Sequence, residues 1–262
     1  MSAYLDSRGL QRLRFDLSQR DLAVLDSVAE HRFLTAAQIA CLHFSEHATK
    51  QSAARVTRRV LARLTAARAL ARIARRIGGV RAGSASFVYT LGPVGRRLLD
   101  RSYRASEPSA LFLDHTLAVA DAHVQLVEAA RAGSFELLEV QIEPKAWRRF
   151  TGSGGAREIL RPDLYAVTAT GDYEHLWFVE VDRGTESPAA LSRKLQAYET
   201  YRRSGREQQA HGVFPLVVWA ASDAARVIRI EKVIASSKHL QPRLFRVCLQ
   251  AELAEGVAGG GA

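Results

Sequence analysis

The sequence predicts an α/β protein of two domains. A basic, helix-rich domain is expected over residues 1–104, and an α/β domain with a mixed sheet flanked by helices over 105–252. The first sign is length, since 262 residues exceed a usual single core and suit two. The second is charge: residues 1–104 carry 19 Lys/Arg against 7 Asp/Glu, whereas 105–262 carry 18 against 20. The third is periodicity, which is helical at first, turns to short strand patterns near residues 70–91, and mixes strands with helices from Phe135 onward.

In the first domain, Ser18 with Asp21 reads as a capping-box start, followed by Leu22, Leu25, Val28 and Ala29 as a buried stripe. Residues 1–16 before it are polar and expected to be loosely held. Thr35 and Gln38 form a second capping box ahead of Ile39, Leu42 and Phe44. A third helix from about Lys50 to Ala67 buries Val56, Val60, Leu61 and Leu64 and carries Arg55, Arg58, Arg59 and Arg63 on its other faces. Leu70–Ile73 and Phe87–Leu91 flank a glycine-rich tip and read as a β-hairpin. Three helices followed by a hairpin is the order of a winged helix-turn-helix.

No acidic residue lies between Glu46 and Asp100, while nine Lys/Arg lie between Lys50 and Arg76. A one-signed block with helical periodicity points to a polyanion, here double-stranded DNA. The third helix would enter the major groove with Lys50, Gln51, Ser52, Arg55, Arg58, Arg59 and Arg63. The hairpin would reach the backbone or minor groove with Arg75, Arg76 and Arg81. No apolar run reaches the ~20 residues of a membrane span, so no membrane partner is expected. Cys41 and Cys248 lack metal-ligand spacing and read as free thiols of a reducing bacterial cytoplasm. A small-molecule cofactor is not expected.

In the second domain a helix is expected over 110–131, with Leu113, Leu117, Ala120, Val124 and Val127 inward; its His115 and His123 receive no role. Strands follow at Phe135–Ile142, Ile159–Thr168 and His175–Val181. A loop at Trp147–Gly155 bears Arg148 and Arg149, with Arg157 just beyond, as candidates to neutralise phosphates; a mobile, solvated loop is the equal alternative. Ser187 and Pro188 then cap a helix in which Leu191, Lys194, Leu195 and Tyr198 share one face. A strand at Phe214–Ala220, a helix at Asp223–Ser236 and an edge strand at Leu244–Leu249 complete the domain. Residues 253–262 are expected to be a disordered tail.

Glu180 and Asp182 point to the same side of their strand, and Asp163 follows Pro162 on the neighbouring one. Three carboxylates at one end of two buried strands repel one another, which a divalent cation would relieve; oxygen ligands suit Mg²⁺ or Mn²⁺. Asp163, Glu180 and Asp182 are thus candidate metal ligands, and Lys194 a candidate to steady transition-state charge. The plainer reading is structural. Asp163 caps a turn, Glu180 and Asp182 pair with Arg183 or Arg193, and Lys194 lays its stem on apolar surface.

Pro162-Asp163 with Glu180-Val181-Asp182 resembles the PD-(D/E)xK nuclease signature, with Asp182 where that signature carries lysine. The resemblance implies a nuclease-like domain with Asp163, Glu180, Asp182 and Lys194 as catalytic residues, Lys194 supplying the lysine from the following helix. The longer run EVDRGTES followed by KLQAY is similar to the replication-relaxation family of plasmids and other mobile elements. That resemblance implies a role in replication or maintenance, with the second domain either nicking DNA or serving dimerisation as a homodimer. The alternative is a transcriptional regulator whose second domain is inactive and docks a partner.

Overall fold

The structure is a computed structural model that describes residues 6–46, 49–73, 87–101, 108–152 and 154–258. The chain divides into two compact units, Met1–Val124 and Gln125–Ala262. The first contains α1 (Ser7–Asp16), α2 (Gln19–His31), β1 (Leu34–Thr35), α3 (Ala36–His43), α4 (Lys50–Ala66), β2 (Leu70–Ile73), β3 (Val88–Leu91) and α5 (Pro93–Leu98). The long helix α6 (Ala110–Arg131) spans the division.

Both expected capping boxes form, Ser18 with Asp21 and Thr35 with Gln38, and Thr49 with Ser52 makes a third ahead of α4. Each satisfies amides that a helix start leaves unpaired. Val24, Leu25, Ile39, Leu61 and Leu64 are fully enclosed in one core. The strands form an antiparallel sheet in the order β1-β3-β2, with Leu70 opposite Leu91 and Ile73 opposite Val88. The hairpin tip, with Arg75, Arg76 and Arg81, lies outside the described residues.

The turn from β3 to α5 depends on two glycines. A Cβ on Gly92 would stand 2.2 Å from the Arg68 carbonyl oxygen, and one on Gly95 2.1 Å from that of Ala69. Backbone therefore passes backbone where no side chain fits, and the Gly92 amide donates to Ala69 at 2.8 Å.

Three sequence expectations differ here and at the tail. Residues 7–16 are helical, because Asp6 caps the Gly9 amide at 2.7 Å and Leu10 and Leu13 lean on the core. The boundary expected at residue 104 falls later. Leu113 and Leu117 pack with Phe33 and Val88, and Gln38 donates to the Leu117 carbonyl at 2.9 Å and to Asp121 at 2.6 Å. The opening turns of α6 thus belong to the first core. Residues 253–258, expected in the tail, form α10 (below) with Leu253 and Val257 fully buried.

The second unit adds β4 (Glu136–Ile142), β5 (Arg148–Thr151), β6 (Arg157–Leu160), β7 (Leu164–Thr170), β8 (Tyr173–Asp182), α7 (Pro188–Arg203), α8 (Arg206–His211), β9 (Leu216–Ala221), α9 (Ala224–Ser236), β10 (Phe245–Leu249) and α10 (Leu253–Ala258). The main sheet has the order β10-β9-β8-β7-β4. β4, β7 and β8 pair antiparallel, while β8–β9 and β9–β10 are parallel, so the sheet is mixed as expected. The strand expected over 159–168 is cut in two around Pro162, which lacks the amide a ladder needs. Its first piece, β6, pairs instead with β5, so the expected loop is a hairpin.

Two histidines meet in the first unit, His31 buried and His123 half-buried. His31 and His123 stack with centroids 5.2 Å apart, His31 Nε2 lying 3.0 Å from His123 Nδ1. Burial lowers His31 to about 3 and His123 to about 4, with His123 and His43 further opposing protonation of His31 and Glu30 favouring that of His123. The unfolded chain therefore binds more protons than the native state between about pH 4 and 6.5. The stability from keeping both rings neutral is complete above 6.5 and falls as the pH drops, by at most about 1.4 kcal/mol per pH unit for each ring. Denaturant titrations from pH 4 to 7 are expected to show this slope in the wild type and a shallower one in H31Q/H123Q; equal slopes would remove the histidines from the effect.

Candidate functional site

Leu164 pairs with Val179, so Asp163 comes opposite Glu180 at the end of β7 and β8. Asp163 is buried, and its Oδ2 accepts the Val181 amide at 2.7 Å. The ridge of α7 that carries Leu191 and Leu195 into the core also brings Lys194 and Tyr198 down onto this strand end. Lys194 Nζ lies 2.7 Å from Glu180 Oε2, and the Tyr198 hydroxyl donates to Glu180 Oε1. Three of the expected residues, Asp163, Glu180 and Lys194, are thus gathered together.

The electrostatics follow from enclosure. Burial pushes the Glu180 carboxyl up to about 8; Lys194 opposes that shift and the neighbouring Asp163 adds to it. Burial also works against the Lys194 charge, but Glu180, Asp163 and Glu186 outweigh it and hold the ammonium above its ordinary value. Burial and the Glu180 charge raise the Tyr198 hydroxyl, so it remains a donor.

Asp182 is placed differently from the expectation. Arg226 of α9 grips it with two parallel bonds, Nε to Oδ1 at 2.9 Å and Nη2 to Oδ2 at 2.7 Å, both side chains being almost fully enclosed. Its Oδ1 also accepts the Gly184 amide at 2.6 Å, while Arg226 donates to the Glu186 carbonyl at 3.0 Å. Asp182 therefore fastens the 183–187 loop that leads into α7. The expected trio of carboxylates does not form one ligand group, and the described residues contain no cluster of three or more His, Cys, Asp or Glu fit for a metal. Asp163 with Glu180 remains a two-carboxylate set, within what Mg²⁺ accepts when water fills its other positions.

In the first unit, Arg55, Arg58, Arg59 and Arg63 are displayed along α4, with Gln51 exposed at its start. Arg63 is committed to Asp21 at 2.6 Å, and Ser52 spends its hydroxyl on the Thr49 carbonyl within the capping box. Only the backbone of Lys50 is described.

Tyr198 reads from sequence as a core position, and its spacing of four from Lys194 places it on the right ridge; its bond to Glu180 carries no sequence signal. Arg226 has no local signal either, lying 44 residues from Asp182. Arg148, expected to meet phosphate, turns inward to Glu207 at 2.9 Å and lies over the Tyr165 ring.

Because the Asp182–Arg226 pair is sealed from water, removing one partner strands a buried charge. D182A and R226A are each expected to cost about 3–5 kcal/mol in urea denaturation. The apolar double variant D182L/R226M is expected to recover most of that loss; a loss below about 1 kcal/mol in the single variants would contradict the arrangement.

A family model described as replication-relaxation matches residues 25–217, which reaches from α2 into β9. No curated protein and no solved structure matches the chain. The match covers most of the sequence and includes the 180–187 run with the helix that follows it, and the chain belongs to the replication-relaxation family.

Proposed function

We propose that the chain is a double-stranded DNA-binding protein acting in the replication or maintenance of a plasmid or other mobile element. In this reading the first unit is a winged helix-turn-helix and α4 is its recognition helix. The observation that carries it is the outward face of α4. Arg55, Arg58 and Arg59 project from a helix whose other side, with Leu61 and Leu64, fills the core. No acidic residue between Glu46 and Asp100 offsets them. The order of three helices and a β-hairpin, and the family's link to mobile-element replication, support the same reading.

The second unit supports a PD-(D/E)xK-like assignment through its order of helix, three strands, helix and strand in the main sheet, and through Asp163 facing Glu180. Asp163 and Glu180 would hold Mg²⁺ or Mn²⁺, which would supply positive charge and an activated water for phosphodiester hydrolysis. Lys194 would place its ammonium beside the scissile phosphate, and Tyr198 would orient Glu180. Two ion pairs favour a second reading in which this unit only dimerises or docks a partner. Asp182 is consumed by Arg226, and Glu180 is already paired with Lys194.

Fluorescence anisotropy with a labelled duplex separates DNA binding from its absence. The wild type is expected to bind, and R55Q/R58Q/R59Q to weaken binding at least tenfold, with a salt slope lower by about 3. An unchanged slope would remove α4 as the reading helix. Supercoiled plasmid with Mg²⁺ or Mn²⁺ decides the second unit. Conversion to open circle that is lost in D163A, E180A and K194A supports cleavage, and no conversion with either metal leaves the docking reading.

A further inference from the structure

The second unit carries a basic surface that α4 does not account for. Residues 125–262 hold base and acid in near balance, 18 Lys/Arg against 17 Asp/Glu, yet the segment 145–161 is rich in arginine and has Glu158 as its one carboxylate. The β5–β6 register sorts these charges. Arg148 pairs with Leu160 and Phe150 with Glu158, whereas Arg149 pairs with Ile159 and Thr151 with Arg157. Strand alternation puts the first set on one face and the second on the other.

The inner face is spent on structure. Phe150 and Leu160 are buried in the core beside Tyr201, and Arg148 is held by Glu207. Glu158 belongs to this same side by register. The outer face presents Arg149, Thr151 and Arg157, all exposed, and Arg161 follows in step, its guanidinium over the Trp147 ring at 5.3 Å. Arg206 of α8 donates to the Arg149 carbonyl at 3.3 Å, which brings another guanidinium to the hairpin.

We infer that the outer face of the β5–β6 hairpin is a second DNA-contacting surface, gripping backbone phosphates next in the chain to the Asp163–Glu180 pair. The inference rests on the DNA-binding reading of the preceding section. Its occupant is fixed by charge: exposed guanidiniums without a carboxylate on their face suit a phosphate backbone, and arginine forks match phosphate oxygens in pairs. Its place is fixed by the chain. Arg161 is two residues before Asp163, so their Cα atoms lie within about 7 Å. The hairpin thus leads a bound strand to the carboxylates.

The full-length protein and a labelled duplex of about 30 base pairs and arbitrary sequence test this by anisotropy across a salt series. R149Q/R157Q is expected to weaken binding about tenfold at about 0.1 M salt and to lower the log–log salt slope by about 2, since each lost phosphate contact removes about 0.9. R149K/R157K is expected to keep most of the slope. T151E, which sets a carboxylate opposite Arg157 without touching the core, is expected to weaken binding as well. If R149Q/R157Q and T151E both bind like the wild type while R55Q/R58Q/R59Q does not, the hairpin surface is overturned and the α4 reading stands. A wild type that fails to bind the duplex at any salt overturns both.

Discussion

Burial of the Glu180 carboxylate at the end of a central strand is the constraint around which the second unit is arranged. A lone carboxylate in that position is far too costly to keep ionised. Here its charge is met from α7, by the Lys194 ammonium and the Tyr198 hydroxyl. The helix must therefore lie where those two side chains reach β8. That fixes its start at Ser187 and Pro188, and with it the loop between strand and helix. Asp163, opposite Glu180 at the same strand end, pushes the Glu180 carboxyl further up.

Asp182 shows how a buried charge takes on another role only one pleat further along the same strand. It lies on the same face as Glu180, yet α9 supplies Arg226 and closes it off with a forked ion pair. The pair reaches the Gly184 amide and the Glu186 carbonyl as well, so it holds the short segment on which the orientation of α7 depends. Asp182 and Glu180 thus divide the work: one holds the frame, the other faces Asp163 and Lys194.

The first unit solves a different problem. Its core is built from helices that gain most of their stability from packing, and three of them are started by a reciprocal side-chain cap. With Leu61 and Leu64 turned inward, the arginines of α4 have no acidic neighbours on their own segment, and Arg63 finds its carboxylate on α2. The remaining guanidiniums are held at fixed spacing on a rigid element. That costs less entropy on binding an anion than the same charges on a loose chain would.

The amino-acid sequence by itself determined much of this protein. It set the division of charge between the two halves, the capping boxes of α2 and α3, and the Ser187–Pro188 start of α7. It also set the pairing of the Pro162-Asp163 strand with the one bearing Glu180. The caps and the helix start are short-range signals, in which side chains a few residues apart decide the local backbone. Tertiary structure alone decided the partner of Asp182, the extension of the first core into α6, the hairpin at 148–160 and the docking of 253–258 as a helix. Arg226 meets Asp182 only because β9 lies parallel beside β8 and α9 returns across them. Glycines and arginines at 148–157 read as a loop until β6, cut short at Pro162, offers its backbone to β5. Long-range hydrogen bonds and burial made those choices, and neither leaves a periodic trace in sequence.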